Sequence, residues 1–354
     1  MKIGILTHHY INNFGAFLQA WALCEAVKKL FPDDDVEIID YVNTKHAVIN
    51  AGGWFRYYKN RENFKSWHQK TKLPRTFAAA RKHNMTLSAR CHNAKKINKI
   101  HFDCIIVGSD EVWNFNDTKG NAPIKFGEGL ECDNLIAYAP SVGQTQADQN
   151  VPEYVVSGIK KFKAISARDD LTAELVRKVS GREAVRVLDP TFLAEFPKAE
   201  LKAHKKPYFL FYYCDKLPSA IKDQIFEYAD KNGFAVYGAG ECDKRYTEIT
   251  VNLTPFEWVE MFRNASFVFT GTFHGAVFSI LNKKQFKVYL TNPSRIEKVN
   301  ALLKELGIEN REINEHFVFD YHSMLDEIIY KNVYQVIEDK KKASYDYLKK
   351  TIEQ

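Results

Sequence analysis

His274, in the run Thr270-Gly271-Thr272-Phe273-His274-Gly275, is the side chain whose setting points most clearly to chemistry. Ser266–Phe269 before it is aromatic and β-branched, as in a buried strand. Ala276–Leu281 after it is apolar enough for a packed helix. A strand that feeds a helix through small residues aims backbone N–H groups and the positive end of the helix dipole at one point. That arrangement suits a phosphate or a carboxylate. From such a turn His274 can donate to the anion or move a proton near neutral pH. A packing turn with a histidine at the start of a helix has the same sequence, so the elements around it must decide.

Those elements alternate. Strands are expected at Lys2–Thr7, Val36–Tyr41, Cys104–Val107, Leu135–Ala139 and Ala164–Ser166. Ala16–Phe31 carries Phe17, Ala20, Trp21, Cys24, Val27 and Leu30 at helical spacing. A second series follows the polar, Lys-rich stretch Phe196–Pro207. Its strands are Tyr208–Tyr213, Phe234–Tyr237, Phe267–Thr270 and Phe286–Leu290, and its helices are Pro218–Asn232, Pro255–Asn264, His274–Leu281 and Arg295–Leu306. Strand–helix alternation implies parallel sheets covered on both faces. With 354 residues, the expectation is α/β with two Rossmann-like domains and a central cleft. The first domain would be residues 1–200 with a helical insertion at about 45–101. The second would be 201–320, and a helical tail, 321–354, could pack back on the first.

Ligands of open parallel sheets bind beyond the carboxyl ends of the strands. The loops there are His8–Gly15, Gly108–Asn114, Pro140–Gly143, Ala167–Asp170, Gly238–Gly240 and Thr270–Gly275. Small residues, polar side chains and Arg168 collect in them. Gly238-Ala239-Gly240 is a poor dinucleotide cue, because a third glycine is missing and Glu241 would repel a pyrophosphate. His8-His9 could begin a metal site, but no third ligand is near in sequence, and no metal or redox cofactor is expected.

The six cysteines form no Cys-x-x-Cys pair, and no apolar run approaches membrane-span length. The first residues read as a strand, not a signal peptide, and a cytoplasmic protein is expected. The net charge is +6, but Trp54–His101 holds thirteen Lys or Arg against Glu62 alone, interleaved with Trp54, Phe55, Tyr57, Tyr58, Phe64, Trp67 and Phe77. Such a segment suits an anionic membrane surface or a pyrophosphate-linked lipid. Nucleic acid or a merely solvated insertion gives the same composition. The expectation adopted is peripheral attachment at the inner face of a membrane, with no nucleic acid bound.

Several runs, in order, resemble the polysaccharide pyruvyl transferase family. They are Asn12–Ala20, Val107-Gly108-Ser109-Asp110-Glu111-Val112-Trp113-Asn114, Ala137–Ser141, Ile165–Asp169, Leu188–Leu193, Thr272-Phe273-His274-Gly275 with Phe278-Ser279, and Arg295 with Leu302–Gly307 and Arg311. The resemblance implies a fold like the B-type glycosyltransferases. It also implies transfer of a pyruvyl group from phosphoenolpyruvate to a sugar, as a cyclic ketal on a surface polysaccharide or its polyprenyl-pyrophosphate-linked precursor. The family signature is Arg-Leu-His, its arginine on the donor anion; here Thr272 stands in that place. The donor contact then falls to Arg295 or Lys283, or the donor differs.

In this reading His274 is the general acid and base, and Asp110 or Glu111 deprotonates the acceptor hydroxyl. The donor is held by Arg168, Gly271, Thr272, Gly275, Arg295 and Lys283. The acceptor is held by His8, Asn13, Gly15, Gln19, Glu111, Trp113, Asn114, Tyr138 and Ser141. Asp110 could instead cap a turn, Trp113 and Tyr138 could be core, and Arg168 could pair with Asp169 or Asp170. A nucleotide-sugar glycosyltransferase and an inactive assembly protein are the rival functions, and a homo-oligomer is left open.

Overall fold

The computed structural model describes all residues except 58–62, 144, 146–148, 202–205, 215, 315 and 326–327, and the side chain of residue 294. Tyr58, Lys59, Arg61 and Glu62 of the basic segment therefore lie outside the described residues.

The alternation is realised along the whole chain. It begins with β1 (Lys2–Leu6), α1 (Phe14–Leu30), β2 (Asp35–Ile38), α2 (Thr44–Gly53), α3 (Phe64–Lys70), α4 (Leu73–Asn84) and α5 (Ala94–Asn98). Next come β3 (Cys104–Val107), β4 (Asn134–Ala137), α6 (Glu153–Lys161), β5 (Ala164–Ala167), α7 (Asp170–Ser180) and β6 (Val185–Arg186). The second series is β7 (Tyr208–Tyr212), α8 (Ser219–Lys231), β8 (Ala235–Gly238), α9 (Pro255–Asn264), β9 (Phe267–Thr270), α10 (Phe273–Leu281), β10 (Phe286–Val288), α11 (Pro293–Glu305) and α12 (Tyr330–Ile352).

Two compact units result. Unit 1 comprises Met1–Gly53, Ala79–Glu195 and Glu338–Gln354; unit 2 comprises Trp54–Ala78 and Phe196–Ile337. The basic stretch is thus divided, its part from Trp54 to Ala78 packing with unit 2. Unit 1 has a six-stranded parallel sheet in the order β2-β1-β3-β4-β5-β6. Unit 2 has a four-stranded parallel sheet in the order β10-β9-β7-β8. Every residue of β3, β4, β7 and β9 is buried, as parallel strands covered on both faces must be. Leu6, Ile105, Trp113, Phe126 and Phe162 pack in one core, and Phe209, Phe211, Phe267 and Phe269 in the other.

Local chemistry sets the helix ends that matter. Asn13 caps α1 by accepting from the Ala16 N–H at 3.0 Å. Asp169 caps α7, accepting from Thr172 N at 2.9 Å. The end of α12 is tied to unit 1: the Tyr347 hydroxyl donates to Ala137 O at 2.9 Å, and Asn134 Nδ2 donates to the carbonyls of Thr351 and Ile352, each at 3.1 Å.

Each sheet reverses its order once. The reversal falls between β1 and β3 in unit 1 and between β7 and β9 in unit 2. At such a switch point the loops leave in opposite directions and open a crevice at the strand ends. The loops after β1, β3 and β9, with the first turns of α1 and α10, carry most of the residues singled out above.

Candidate functional site

In unit 2 the chain leaves β9 at Thr270, and α10 starts three residues later, at Phe273. Thr272 is the N-cap, its hydroxyl accepting from Gly275 N at 3.1 Å. A Cβ on Gly275 would lie 1.9 Å from Thr270 Oγ1, so only glycine allows the helix to start this close to the strand. His274 is the second residue of α10 and half-buried, its ring edge-on to Phe273 at 5.4 Å.

Arg295, from α11, reaches the same turn. Its Nη1 donates to Gly271 O at 3.3 Å, and its guanidinium lies 5.1 Å from the centre of the Tyr213 ring. Tyr213, just past β7, is held at φ +57 with its N–H donating to Glu241 Oε2 at 2.6 Å. Glu241 also accepts from the Tyr246 hydroxyl at 2.9 Å. Among the described residues no carboxylate lies within ion-pair distance of Arg295. The switch point of unit 2 therefore joins a helix N-terminus, an arginine and an imidazole, a combination fit for an anion that must also exchange a proton.

Lys283 does not belong to this group. It follows the C-cap of α10, with its ammonium 4.7 Å from the Tyr334 ring centre. At 1.5 Å per residue it stands on the order of 13 Å along the axis from the turn. Its assignment to the donor is corrected on that ground.

In unit 1 the loop after β3 is held from below. Gln19 Oε1 accepts from Ser109 N at 3.2 Å and Ser109 Oγ at 3.0 Å. Gln19 Nε2 donates to Thr7 Oγ1 at 3.0 Å and Ala16 O at 2.9 Å. Gly108 has φ +136, and a Cβ there would come 1.9 Å from Tyr138 O. Asp110 follows at φ +70, an uncommon conformation for a non-glycine residue. Its carboxylate accepts from Arg168 Nη2 at 3.0 Å, while Arg168 Nη1 donates to Asp189 Oδ2 at 2.6 Å. The side chains of Arg168 and Asp189 are 4% and 1% exposed, that of Asp110 19%. Burial pulls the Arg168 pKa down, but Asp110, Asp189 and Asp169 outweigh it and the net direction is up.

Arg168 is thus a buried clamp that donates to Asp110 and Asp189, with Asp169 adding to the negative field around it, not a fork held out to a donor anion. Four acceptor assignments are corrected in the same way. Gln19 is fully buried with its amide spent on the loop. Trp113 is fully buried, stacked on Phe126, with Nε1 donating to Lys125 O at 2.9 Å. Tyr138 is fully buried and donates to Leu188 O at 2.9 Å. Ser141 is fully buried, its N–H donating to Asp110 O at 2.8 Å and its hydroxyl accepting from Gly143 N at 3.2 Å. None of the four offers a face to a sugar. Gly15 is buried in the first turn of α1, whereas Asn13 is exposed and Glu111 and Asn114 are partly exposed and joined at 3.2 Å.

His8 and His9 turn to different partners. His9 Nε2 meets Asp40 Oδ1 at 3.1 Å, and Asp40 also accepts from Arg90 Nε at 2.9 Å. His8 Nε2 contacts the ammonium of Lys125, a residue the sequence reading missed. Lys125 is fully buried and donates to Gly120 O at 2.8 Å. Burial pushes its pKa down to about 7, against the opposing pull of Asp117 and Asp110. Burial, then Lys125, pushes His8 well below the usual imidazole range. His46, which meets the Tyr10 hydroxyl at 3.1 Å, is lowered first by burial. The only sequence hint of Lys125 is a lone cation between Ile124 and Phe126.

Two parallel α/β units of this kind define a fold like that of the B-type glycosyltransferases. Solved structures similar to the chain include a putative UDP-N-acetylglucosamine 2-epimerase from Listeria monocytogenes (10% identity, 98% of this chain and 90% of that one, TM-score 0.50). Others are the E. coli heptosyltransferase WaaC with ADP (10% identity, 96% and 100%, TM-score 0.42) and S. aureus MnaA with UDP (10% identity, 96% and 88%, TM-score 0.47). At such identities the likeness concerns the fold alone. No curated protein matches the chain significantly. The family model for polysaccharide pyruvyl transferases matches residues 13–293, and the chain belongs to that family. It is accordingly a transferase.

Proposed function

We propose that the protein transfers a pyruvyl group from phosphoenolpyruvate to two hydroxyls of a sugar, forming a cyclic ketal on a surface polysaccharide or its lipid-linked precursor. The observation that carries this is the unit 2 turn, within the family match. There Arg295 donates to Gly271 O just before α10, the helix that carries His274, and would supply the cation that the family signature places where Thr272 stands. Phosphoenolpyruvate is a dianion or trianion with a vinyl carbon, and this segment supplies positive potential and a proton donor.

In the reaction His274 gives a proton to the vinyl carbon, which leaves an oxocarbenium-like centre at the neighbouring carbon. A sugar hydroxyl forms a C–O bond there and loses its proton to a base. The C–O bond to phosphate breaks, phosphate leaves with the bonding pair, and a second hydroxyl closes the ring as its proton departs. A nucleotide-sugar glycosyltransferase would need a unit 2 acid to grip the ribose, for which Glu241 and Glu297 are the nearby acids; Glu241 already accepts from Tyr213 N and the Tyr246 hydroxyl. Glu297 is exposed on α11.

The test is mass spectrometry of acceptor oligosaccharides incubated with phosphoenolpyruvate, together with phosphate release. His274→Ala is expected to keep its fold and lose at least about a hundredfold in rate. Near wild-type turnover in a folded variant would remove His274 from the mechanism.

A further inference from the structure

Within unit 2, Trp54–Ala78 carries seven Lys or Arg against Glu62 alone. The same short segment exposes Phe55, Tyr57 and Phe64, at 54%, 46% and 70%. Tyr213 is the one other large aromatic side chain so exposed among the described residues. Three of four in one basic segment is a concentration that scattered surface hydrophobics do not show.

The rings are held outward by their own scaffold. Asn63 and Ser66 close a capping box at the start of α3. Trp67 Nε1 donates to Phe55 O at 3.1 Å, and Lys70 Nζ donates to Arg56 O at 3.2 Å. These two bonds pin the Phe55-Arg56-Tyr57 backbone against the helix. Tyr57 meets the Trp67 ring edge-on at 6.1 Å, and Phe64 stacks on His68 at 6.3 Å. The other side of the segment is fastened to unit 2: Gln69 Oε1 accepts from the backbone N–H groups of Val251 and Asn252 at 3.2 and 3.3 Å, and Thr76 Oγ1 donates to Asn252 Oδ1 at 2.7 Å. An apolar tip fixed in water costs free energy unless something covers it. Arg56, Lys65, Lys72 and Arg75 of the same segment are all exposed.

We propose that Phe55, Tyr57 and Phe64, with the exposed cations of their segment, form a docking knuckle for an anionic bilayer surface. The aromatic rings enter the headgroup–acyl boundary while the Lys and Arg side chains meet lipid phosphates. Charge complementarity selects the partner. Rings bearing both an apolar body and, in Tyr57, a polar tip suit the boundary zone. No helix among the described residues is long and apolar enough to cross a membrane, so attachment through the knuckle would be interfacial and reversible. The inference rests on surface chemistry alone and does not need the proposed reaction.

The experiment is co-sedimentation of the full chain with vesicles, either of equal parts phosphatidylglycerol and phosphatidylcholine or of phosphatidylcholine alone. Binding is expected to the anionic vesicles only. It should fall at least about tenfold as salt rises from ~0.05 to ~0.5 M, since the Debye length shortens several-fold. Phe55→Ser/Phe64→Ser should weaken binding by about tenfold or more with an unchanged circular dichroism spectrum. Lys65→Gln/Lys72→Gln/Arg75→Gln should weaken it and flatten the salt dependence. Absence of binding to anionic vesicles at low salt would overturn the proposal. So would equal binding by the folded aromatic variant, or tighter binding of a single-stranded oligonucleotide through the same residues. Transfer to a soluble sugar is measured in parallel, so that failed docking and a failed reaction are told apart.

Discussion

Asp110 and Asp189 face each other across the Arg168 guanidinium, with Arg168 and Asp189 out of solvent and only Asp110 partly exposed. A buried cation between two carboxylates is costly to assemble and costlier to break. Arg168→Ala, which strands both carboxylates, is expected to destabilise unit 1 by about 3–5 kcal/mol. Chemical denaturation checks this; a variant within about 1 kcal/mol of wild type would show that the clamp bears little load. The residue types at this site were legible in the sequence, because the loop positions follow from the strand pattern. The pairing was not, because Arg168 donates to residues 58 and 21 positions away in sequence. Burial likewise decided between the two readings of Trp113 and Tyr138: each packs in the core of unit 1 and spends its polar atom on a backbone carbonyl.

At the scale of elements, the strands with continuous apolar runs and the capped helix α1 follow from periodicity within a residue or two. β6 was missed because Val185–Arg186 is two exposed residues long and carries no pattern. The 3-10 turn Pro123–Phe126 brings a further prediction, since it places Lys125 beside His8 with His46, Asp117 and Asp110 around it. The folded Lys125 pKa, about 7, lies below its ordinary 10.5. Between those values the unfolded chain binds more protons than the folded one, so stability rises with pH across that window. The cost is fully present below about 7. His8, also lowered, extends the same sign below the ordinary imidazole value of 6.5. Lys125→Met is expected to be more stable than wild type at pH 7 by about 1–4 kcal/mol, the range seen when buried charge gives way to apolar packing. Its unfolding free energy should also lose the upward slope between pH ~7 and ~10. Denaturant titrations at several pH values check both; an unchanged slope would mean that Lys125 titrates normally in the folded protein.

At the scale of the molecule, the chain builds two parallel sheets of different size and sends its last helix into unit 1. The alternation of strands and helices made the α/β class readable. The path of Trp54–Ala78 into unit 2 was not readable, because its attachment uses two polar side chains, Gln69 and Thr76, that bond to residues near Asn252. The central claim is that the turn from Gly271 to His274, with Arg295, receives phosphoenolpyruvate. A ligand that binds only the folded state raises its stability by RT ln(1 + [L]/Kd), about 2.7 kcal/mol at a hundredfold excess over Kd. The direct measurement is the melting temperature of the wild-type chain and of Arg295→Met, with phosphoenolpyruvate or with nucleotide sugars. A concentration-dependent rise with phosphoenolpyruvate that Arg295→Met abolishes is expected, and none with nucleotide sugars. A rise with a nucleotide sugar and none with phosphoenolpyruvate would contradict the claim.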